Sequence, residues 1–409
     1  MTADGKDLLE HNDSLAYLNV YWHADGSRNY LTDAPFVSVN IKAHYSGHST
    51  LEFPKKQIEI KFYDDTWQNK THIQFPTLNN QTHYRLVASY SDKTLMRDKL
   101  AYDIAREVYG EVGLWGAPDS RFCEVFFVND VTGGIFPSAS TLAAAYYYGA
   151  FLLAEKIERG KSQIDIKKLK GTSPIKDIDG GYIFSIDYPK TGQLVCIGDE
   201  SYNVIYPAHP NVDQQNYACN YIHTFERSFG WGNFSQYVNF DAAARYFILQ
   251  ELARNVDEYR LSFFFYKNRT SDQLILGPIW DMDIAWGNAN YAWANLTTGL
   301  QLDTPIVHNW WMVWLRNDAN FQNVVGRLWQ QLRASILSQT SIDHYILTFT
   351  ADLSESQARN FALWKILGVY VWPEPEPIPP TWAGEIAKLQ QWIHARLANL
   401  DSIFLPWIH

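Results

Sequence analysis

Cysteine is scarce in this chain. Cys123, Cys196 and Cys219 are the only three in 409 residues, widely spaced and without a C-x-x-C among them. That pattern excludes a zinc ribbon and allows at most one disulfide. No apolar run approaches the roughly 18 residues that a membrane-spanning helix needs. The opening MTADGKDLLEHNDS also lacks the basic-then-apolar form of a secretory leader. A G-x-x-x-x-G-K-[ST] motif is missing, which excludes a P-loop of the usual sort. Positive charge is in deficit as well: 34 Lys and Arg face 44 Asp and Glu, for a net charge of −10. Such a surface repels a phosphate backbone and excludes nonspecific nucleic-acid binding, while leaving room for a local basic pocket that takes a small anion. The N-x-S/T sequons at Asn69, Asn268 and Asn295 are those expected by chance in a chain rich in Asn and Thr.

What is abundant is apolar and aromatic. Hydrophobic residues make up 46% and charged residues only 19%, the balance of a folded globule. The length suits one large domain or two intertwined lobes. Aromatics reach 15%, a level that accompanies carbohydrate binding or export but also builds ordinary cores.

Residues 1–65 alternate in LAYLNVYW, FVSVNIKAHYSG and KKQIEIKFYDD and read as strands. SDKTLMRDKLAYDIAREVYG reads as a helix with Thr94 as N-cap and Gly110 closing it. RFCEVFFVND and YYYGAFLLAEKI read as a hairpin, separated by VTGGIFPSASTLAAA, which is long enough to be an insertion or a flap. GGYIFSIDY is a further strand. FDAAARYFILQELARNVDEY is a strong helix with Asp241 as cap, and RLSFFFYKN and LILGPIWDMD form a hairpin after it. Beyond residue 300 the pattern is helical, interrupted by WPEPEPIPP, which reads as an extended surface spacer.

Four clusters carry candidate chemistry. In AHYSGHSTLEFPKKQIEIKF, Ser49 lies in a small polar turn around Gly47, followed by Lys55, Lys56 and Lys61. Turn amides, hydroxyls and ammonium groups suit phosphate oxygens. A hairpin turn with solvated lysines has the same composition. In LLAEKIERGK, neighbouring Glu155 and Lys156 point to opposite faces of a strand. A buried glutamate there needs a cationic partner, whereas a solvated charge run needs nothing. Asp257 sits where a helix gives way to a strand, placed to accept a proton from a hydroxyl or simply to form a turn, and Ser262 follows five residues later. Asp281 and Asp283 would share a face in an extended strand and offer hard oxygens to Mg²⁺ or Mn²⁺, or else form an Asx-turn. The order of these clusters is the order in which a protein kinase deploys its parts.

The segments GHSTLEFPKKQIEIKF, LVASYSDKTLMRDKLAYDIARE, YYYGAFLLAEKIERGKSQIDIKKL, GGYIFSIDY, YFILQELARNVDEYRLSFFFYK and GPIWDMDIAWGN together resemble the CotH family of spore-coat-type atypical protein kinases over nearly the whole chain. The resemblance implies an α+β, distantly protein-kinase-like fold in one domain. It would have a β-rich N-terminal lobe to about residue 190, with hairpins and helices, and a helical C-terminal lobe beyond. It also implies binding of ATP with Mg²⁺ (or Mn²⁺) and phosphorylation of a protein or peptide hydroxyl. Asp257 is then the acid that deprotonates the acceptor, and Asp281 the metal-binding acid, with Asp283 and Ser262 as further ligands. Ser49, Lys55, Lys56, Lys61, Glu155, Lys156 and Arg97 fall to the nucleotide. The family pattern carries Asn where Ser262 stands, a longer metal ligand than serine. Members are often exported or surface-associated. The competing expectations are a nucleotide-binding coat component without turnover, AMP transfer by the same residues, and glycoside hydrolysis, which would leave the basic segment without a role.

Overall fold

The computed structural model describes residues 6–129, 136–188, 195–197, 201–257, 259–306 and 309–409. It is a mixed α+β structure that divides into two compact units. The first unit comprises residues up to Leu95, Asp119–Lys156 and the returning stretch Phe349–Val369, and the second comprises the remainder.

The strands of the first unit are β1 (Ser14–Val20), β2 (Val37–Ser46), β3 (Gln57–Tyr63), β4 (Ile73–Gln74), β5 (Asn80–Gln81), β6 (His83–Val87), β7 (Ser120–Phe126) and β8 (Tyr147–Glu155). Six of them form an antiparallel sheet in the order β1-β2-β3-β6-β8-β7, with β4 and β5 as a separate ribbon. Alternation in the sequence translates directly into two faces. Ile41, Ala43 and Tyr45 of β2, Ile58, Ile60 and Phe62 of β3, and Tyr84 and Leu86 of β6 bury one face in a common core. The opposite face carries His44, Ser46, Gln57, Glu59 and His83, and these polar residues are buried too. The expected β7–β8 hairpin is present. Of its long connection, residues 130–135 lie outside the described residues, and the rest forms a short helix, Ala139–Ala145, capped by Ser138.

The returning stretch adds the helix Ser356–Leu363 to β8. The Asn360 Oδ1 accepts from the Ala150 N–H and the Lys55 ammonium at 3.1 Å each, and the Trp364 indole N–H donates to the Tyr148 carbonyl at 2.9 Å. These groups converge on Gly149, whose φ is +129°. A Cβ there would meet Asn360 Oδ1 at 2.8 Å, so only glycine fits.

The second unit contains β9 (Tyr182–Ile186), β10 (Val195–Ile197), β11 (Ser201–Tyr206), β12 (Phe263–Lys267) and β13 (Leu274–Leu276), antiparallel in the order β10-β11-β9-β12-β13. Its central helix, Phe240–Ala253, is buried from Ala242 to its end, with Arg245, Gln250 and Glu251 among the buried residues. Asn239, not Asp241, caps it: the Asn239 side chain accepts from the Ala242 N–H, while Asp241 sits in the first turn and pairs with Arg245 at 2.8 Å. The helix Arg97–Gly110 likewise begins after Met96, not Thr94, because Thr94 is engaged by the Asp92 carboxylate.

Deep in this unit the Glu251 carboxylate accepts from the Gln301 and Leu302 N–H groups and lies 3.3 Å from Arg396 of the helix Trp382–Phe404. Neither side chain of this pair is exposed. Arg396 also donates to the Glu251 carbonyl and to the carbonyls of Thr297 and Gly299. Cys196 and Cys219 form a disulfide that ties β10 to the helix Val212–Gly230, and Cys123 is free. The Pro-rich segment is not a mere spacer. Pro373, Glu374 and Pro375 are buried, Glu374 pairs with Lys388 at 3.5 Å, and the Pro373 carbonyl accepts from the Asn290 N–H. Among the described residues no helix is long and apolar enough to cross a membrane.

Candidate functional site

In the second unit the central helix ends at Arg254, whose left-handed φ of 48° turns the chain toward Asn255. The Arg254 guanidinium fixes that turn by donating to the carbonyls of Trp293, Thr298 and Gly299. Asn255 then joins the two acidic segments. Its Oδ1 accepts from the Asp257 N–H at 3.1 Å, and its Nδ2 donates to the Asp281 carbonyl at 3.2 Å. The helix Arg97–Gly110 holds the Asp281 side of this pair: the Asp98 carboxylate accepts from the Met282 N–H at 2.7 Å, and the Tyr102 hydroxyl lies 3.3 Å from the Asp281 nitrogen.

Asp257 lies in a tight loop in which its carbonyl accepts from the N–H groups of Arg260 and Leu261. Tyr259 and Ser262 both have positive φ, 64° and 51°. Arg260 folds back in this loop and ion-pairs with Asp257 Oδ1. Burial raises the Asp257 carboxyl to about 6, with Arg260 pulling down and the carboxylates of Asp281 and Asp187 pushing up. That value suits a general base near neutrality.

Asp281 follows β13 and a Gly277–Pro278 turn, so it is not on an extended strand; its φ is 63°. The expectation that Asp281 and Asp283 share a strand face therefore fails, and Asp283 is buried where Asp281 is half-exposed. The structure does bring Ser262 to Asp281: its hydroxyl donates to Asp281 Oδ2 at 3.3 Å. Asp283 and Asp257 both neighbour the Tyr291 phenol, which burial and these charges push up. Carboxylate and hydroxyl oxygens are a donor set that fits Mg²⁺ or Mn²⁺, which complete their shells with water and phosphate. Among the described residues no group of three or more His, Cys, Asp or Glu side chains is placed to hold a metal unaided. Arg97 is buried at the start of its helix.

In the first unit the lysines part company. Lys55 is interior, donating to the Ala150 carbonyl and Asn360 and lying 4.5 Å over the Phe151 ring; burial lowers it to about 7. It does not present a cation to solvent, contrary to expectation. Lys56 donates to the Leu51 carbonyl, and Lys61 holds both Asp13 oxygens at 3.0 Å. Glu155 is fully buried and accepts from the Asn79 and Asp119 N–H groups; burial raises its carboxyl. Of this adjacent pair, Lys156 makes a lysine–glutamate ion pair, its Nζ lying 2.9 Å from Glu59 Oε2. Glu59 also has His83 at 2.8 Å, Arg85 at 3.5 Å and His44 at 3.9 Å. Burial disfavours its charge, but Lys156, His83 and Arg85 overcome that and hold it far below the carboxylate range. Ser49 is exposed in the short helix Ser49–Glu52. The turn's buried hydroxyls are instead Ser46 Oγ and Thr50 Oγ1, which have no hydrogen-bond partner.

Sequence reasoning missed Glu59, His83, Arg85, Asn255's bridging role and Arg260. The alternation Gln57-Ile58-Glu59-Ile60-Lys61 did place Glu59 on the polar face, but alternation alone does not say that this face is covered.

A family model described as CotH kinase protein matches residues 43–400. No curated protein matches the chain.

Proposed function

The chain belongs to the CotH kinase family, and on that premise we propose an ATP- and Mg²⁺-dependent phosphotransferase acting on a Ser or Thr hydroxyl of a protein or peptide. The observation that carries this reading is the bridge through Asn255. It fixes an acid poised near neutrality, Asp257, to the segment bearing a metal-type acid, Asp281.

In this reading Asp257 takes the proton of the acceptor hydroxyl as that oxygen attacks the γ-phosphorus. The bond from the γ-phosphorus to the bridging oxygen breaks, and ADP leaves with its electron pair. Asp281 and Ser262 would hold the metal, with Asp283 as a further ligand. Bound there, Mg²⁺ supplies neutralisation of phosphate charge. Lys156, kept charged and oriented by Glu59, is the ammonium suited to phosphate oxygens, in preference to Lys55. The unpartnered hydroxyls of Ser46 and Thr50 fit an anion at the β2–β3 turn. The α+β architecture is compatible with a distantly kinase-like fold.

Incubation with radiolabelled ATP, Mg²⁺ and a protein acceptor tests the reading. Asp257→Asn and Asp281→Asn should each abolish incorporation with circular dichroism unchanged, and retained incorporation in either variant refutes the assignment. Nucleotide binding without turnover is the second reading, favoured by the engagement of Asp257 with Arg260. It is told apart by a thermal shift with ATP and Mg²⁺ in the absence of transfer. AMP transfer would appear as a heavier adduct by mass spectrometry.

A further inference from the structure

The contact between Arg260 and Asp257 has a direction. Asp257 Oδ1 is taken by the guanidinium, whereas among the described residues nothing hydrogen-bonds to Oδ2. The backbone brings the pair together: Tyr259 is left-handed, and the Asp257 carbonyl accepts from the Arg260 N–H. Facing Asp257 are the carboxylates of Asp281 and Asp187, both anionic, and the Tyr291 phenol, which burial keeps neutral. Among the described residues, Arg260 is the cation that bears most strongly on this carboxylate. Its Nε is buried without a hydrogen-bond partner, so the fork is held by Asp257 and not by a second anion.

Resting on the kinase reading above, we propose that Arg260 is a positioning residue for the proton transfer: it clamps one oxygen of Asp257 and leaves the other to the acceptor hydroxyl. An exposed ion pair would contribute little. This one is partly shielded, with 27% of the arginine and 23% of the aspartate side chain accessible, and it opposes two neighbouring negative charges. Before transfer, the guanidinium keeps Asp257 ionised. When the hydroxyl proton reaches Oδ2, the carboxyl becomes neutral, and the guanidinium charge is no longer compensated as negative charge moves onto the phosphoryl oxygens. The clamp therefore acts on both sides of the step without touching the nucleotide.

The test combines two readouts on the full chain. The first is the pH profile of kcat/KM for phosphate transfer in wild type, Arg260→Lys and Arg260→Gln. Arg260→Gln should move the acidic limb to higher pH. A midpoint higher by one pH unit cuts the rate on that limb about tenfold and leaves the alkaline plateau near wild type, and Arg260→Lys should restore part of the shift. An equal loss at every pH, with the limb unmoved, would overturn the proposal by showing a structural role only. The second readout needs no turnover: carboxyl-carbon NMR of protein labelled at aspartate, with the Asp257 signal identified by its loss in Asp257→Asn. The Asp257 midpoint should rise in Arg260→Gln, and an unchanged midpoint also overturns the proposal. If the midpoint rises but wild type transfers nothing under any condition, the kinase reading fails and the clamp on the carboxylate stands.

Discussion

Replacing Lys55 with methionine probes the interior of the first unit directly. Burial draws the Lys55 ammonium from 10.5 to about 7, with Cys123 and Asp92 pulling the other way. Between those values the unfolded chain binds one more proton than the folded chain, so stability rises with pH. The contribution is complete above 10.5, is lost as pH falls to about 7, and stays flat below that. Each pH unit in this window is worth about 1.4 kcal/mol, so wild type should gain roughly 2–3 kcal/mol between about pH 7 and about pH 9. Methionine keeps the reach of the side chain and removes the titration. It also leaves the Ala150 carbonyl and Asn360 without the ammonium, an offset of about 1–3 kcal/mol that does not vary with pH. Urea unfolding of both proteins across this range, followed by tryptophan fluorescence, isolates the term, because other titrating groups cancel in the difference. The stability of wild type relative to Lys55→Met should climb with pH by about 2–3 kcal/mol. A difference that stays constant would show that Lys55 titrates normally, and the account of it as an interior amine would be wrong.

Other expectations follow from the same contacts. Ser262→Asn should stabilise the second unit by about 0.5–1 kcal/mol, because φ of 51° suits asparagine better than serine, and it should tighten Mg²⁺ binding measured by calorimetry; weaker binding would count against Ser262 as a ligand. Gly149→Ala should lower the melting temperature of the first unit, with a cost of about 1–3 kcal/mol from the left-handed backbone and the collision with Asn360. Unchanged melting would argue against the convergence on that glycine. Lys156→Met should weaken ATP binding at least tenfold by equilibrium dialysis, since it removes the ammonium proposed for the phosphates and leaves the Glu59 charge less compensated. Cys196→Ser should destabilise the second unit by about 2–5 kcal/mol in calorimetry, the loss of a cross-link between residues 23 apart.

Strands and hairpins were legible because period-two alternation survives whatever the tertiary structure does: β1, β2, β3 and the β7–β8 and β12–β13 hairpins lie where the pattern puts them. The acids of the candidate site were legible as residue types, and Ser262 beside Asp281 was legible from the resemblance. Caps were not. Asn239 and Asp241 are both good cap residues, and only the backbone decides which one leads. Partner choice was also hidden. Glu155 and Lys156 are adjacent in sequence but diverge in space, and Lys156 finds Glu59 across 97 residues. Alternation also does not say what covers the polar sheet face, and the inward turn of Lys55 depends on Asn360, a partner 305 residues further along the chain. The Pro-rich segment misled for the same reason, since proline restricts the backbone but says nothing of what packs on it.

The lock between Glu251 and Arg396 constrains how this protein can be shortened. Glu251 lies six residues before Asp257 on the chain, and its charge is neutralised by a side chain from the last long helix. A version ending ahead of Arg396 would strand an anion in the interior just upstream of the proposed base, and would free the 297–299 carbonyls that Arg396 gathers. Domain trimming for crystallisation or display should therefore spare this helix, however far from the acidic loop it stands in the primary sequence.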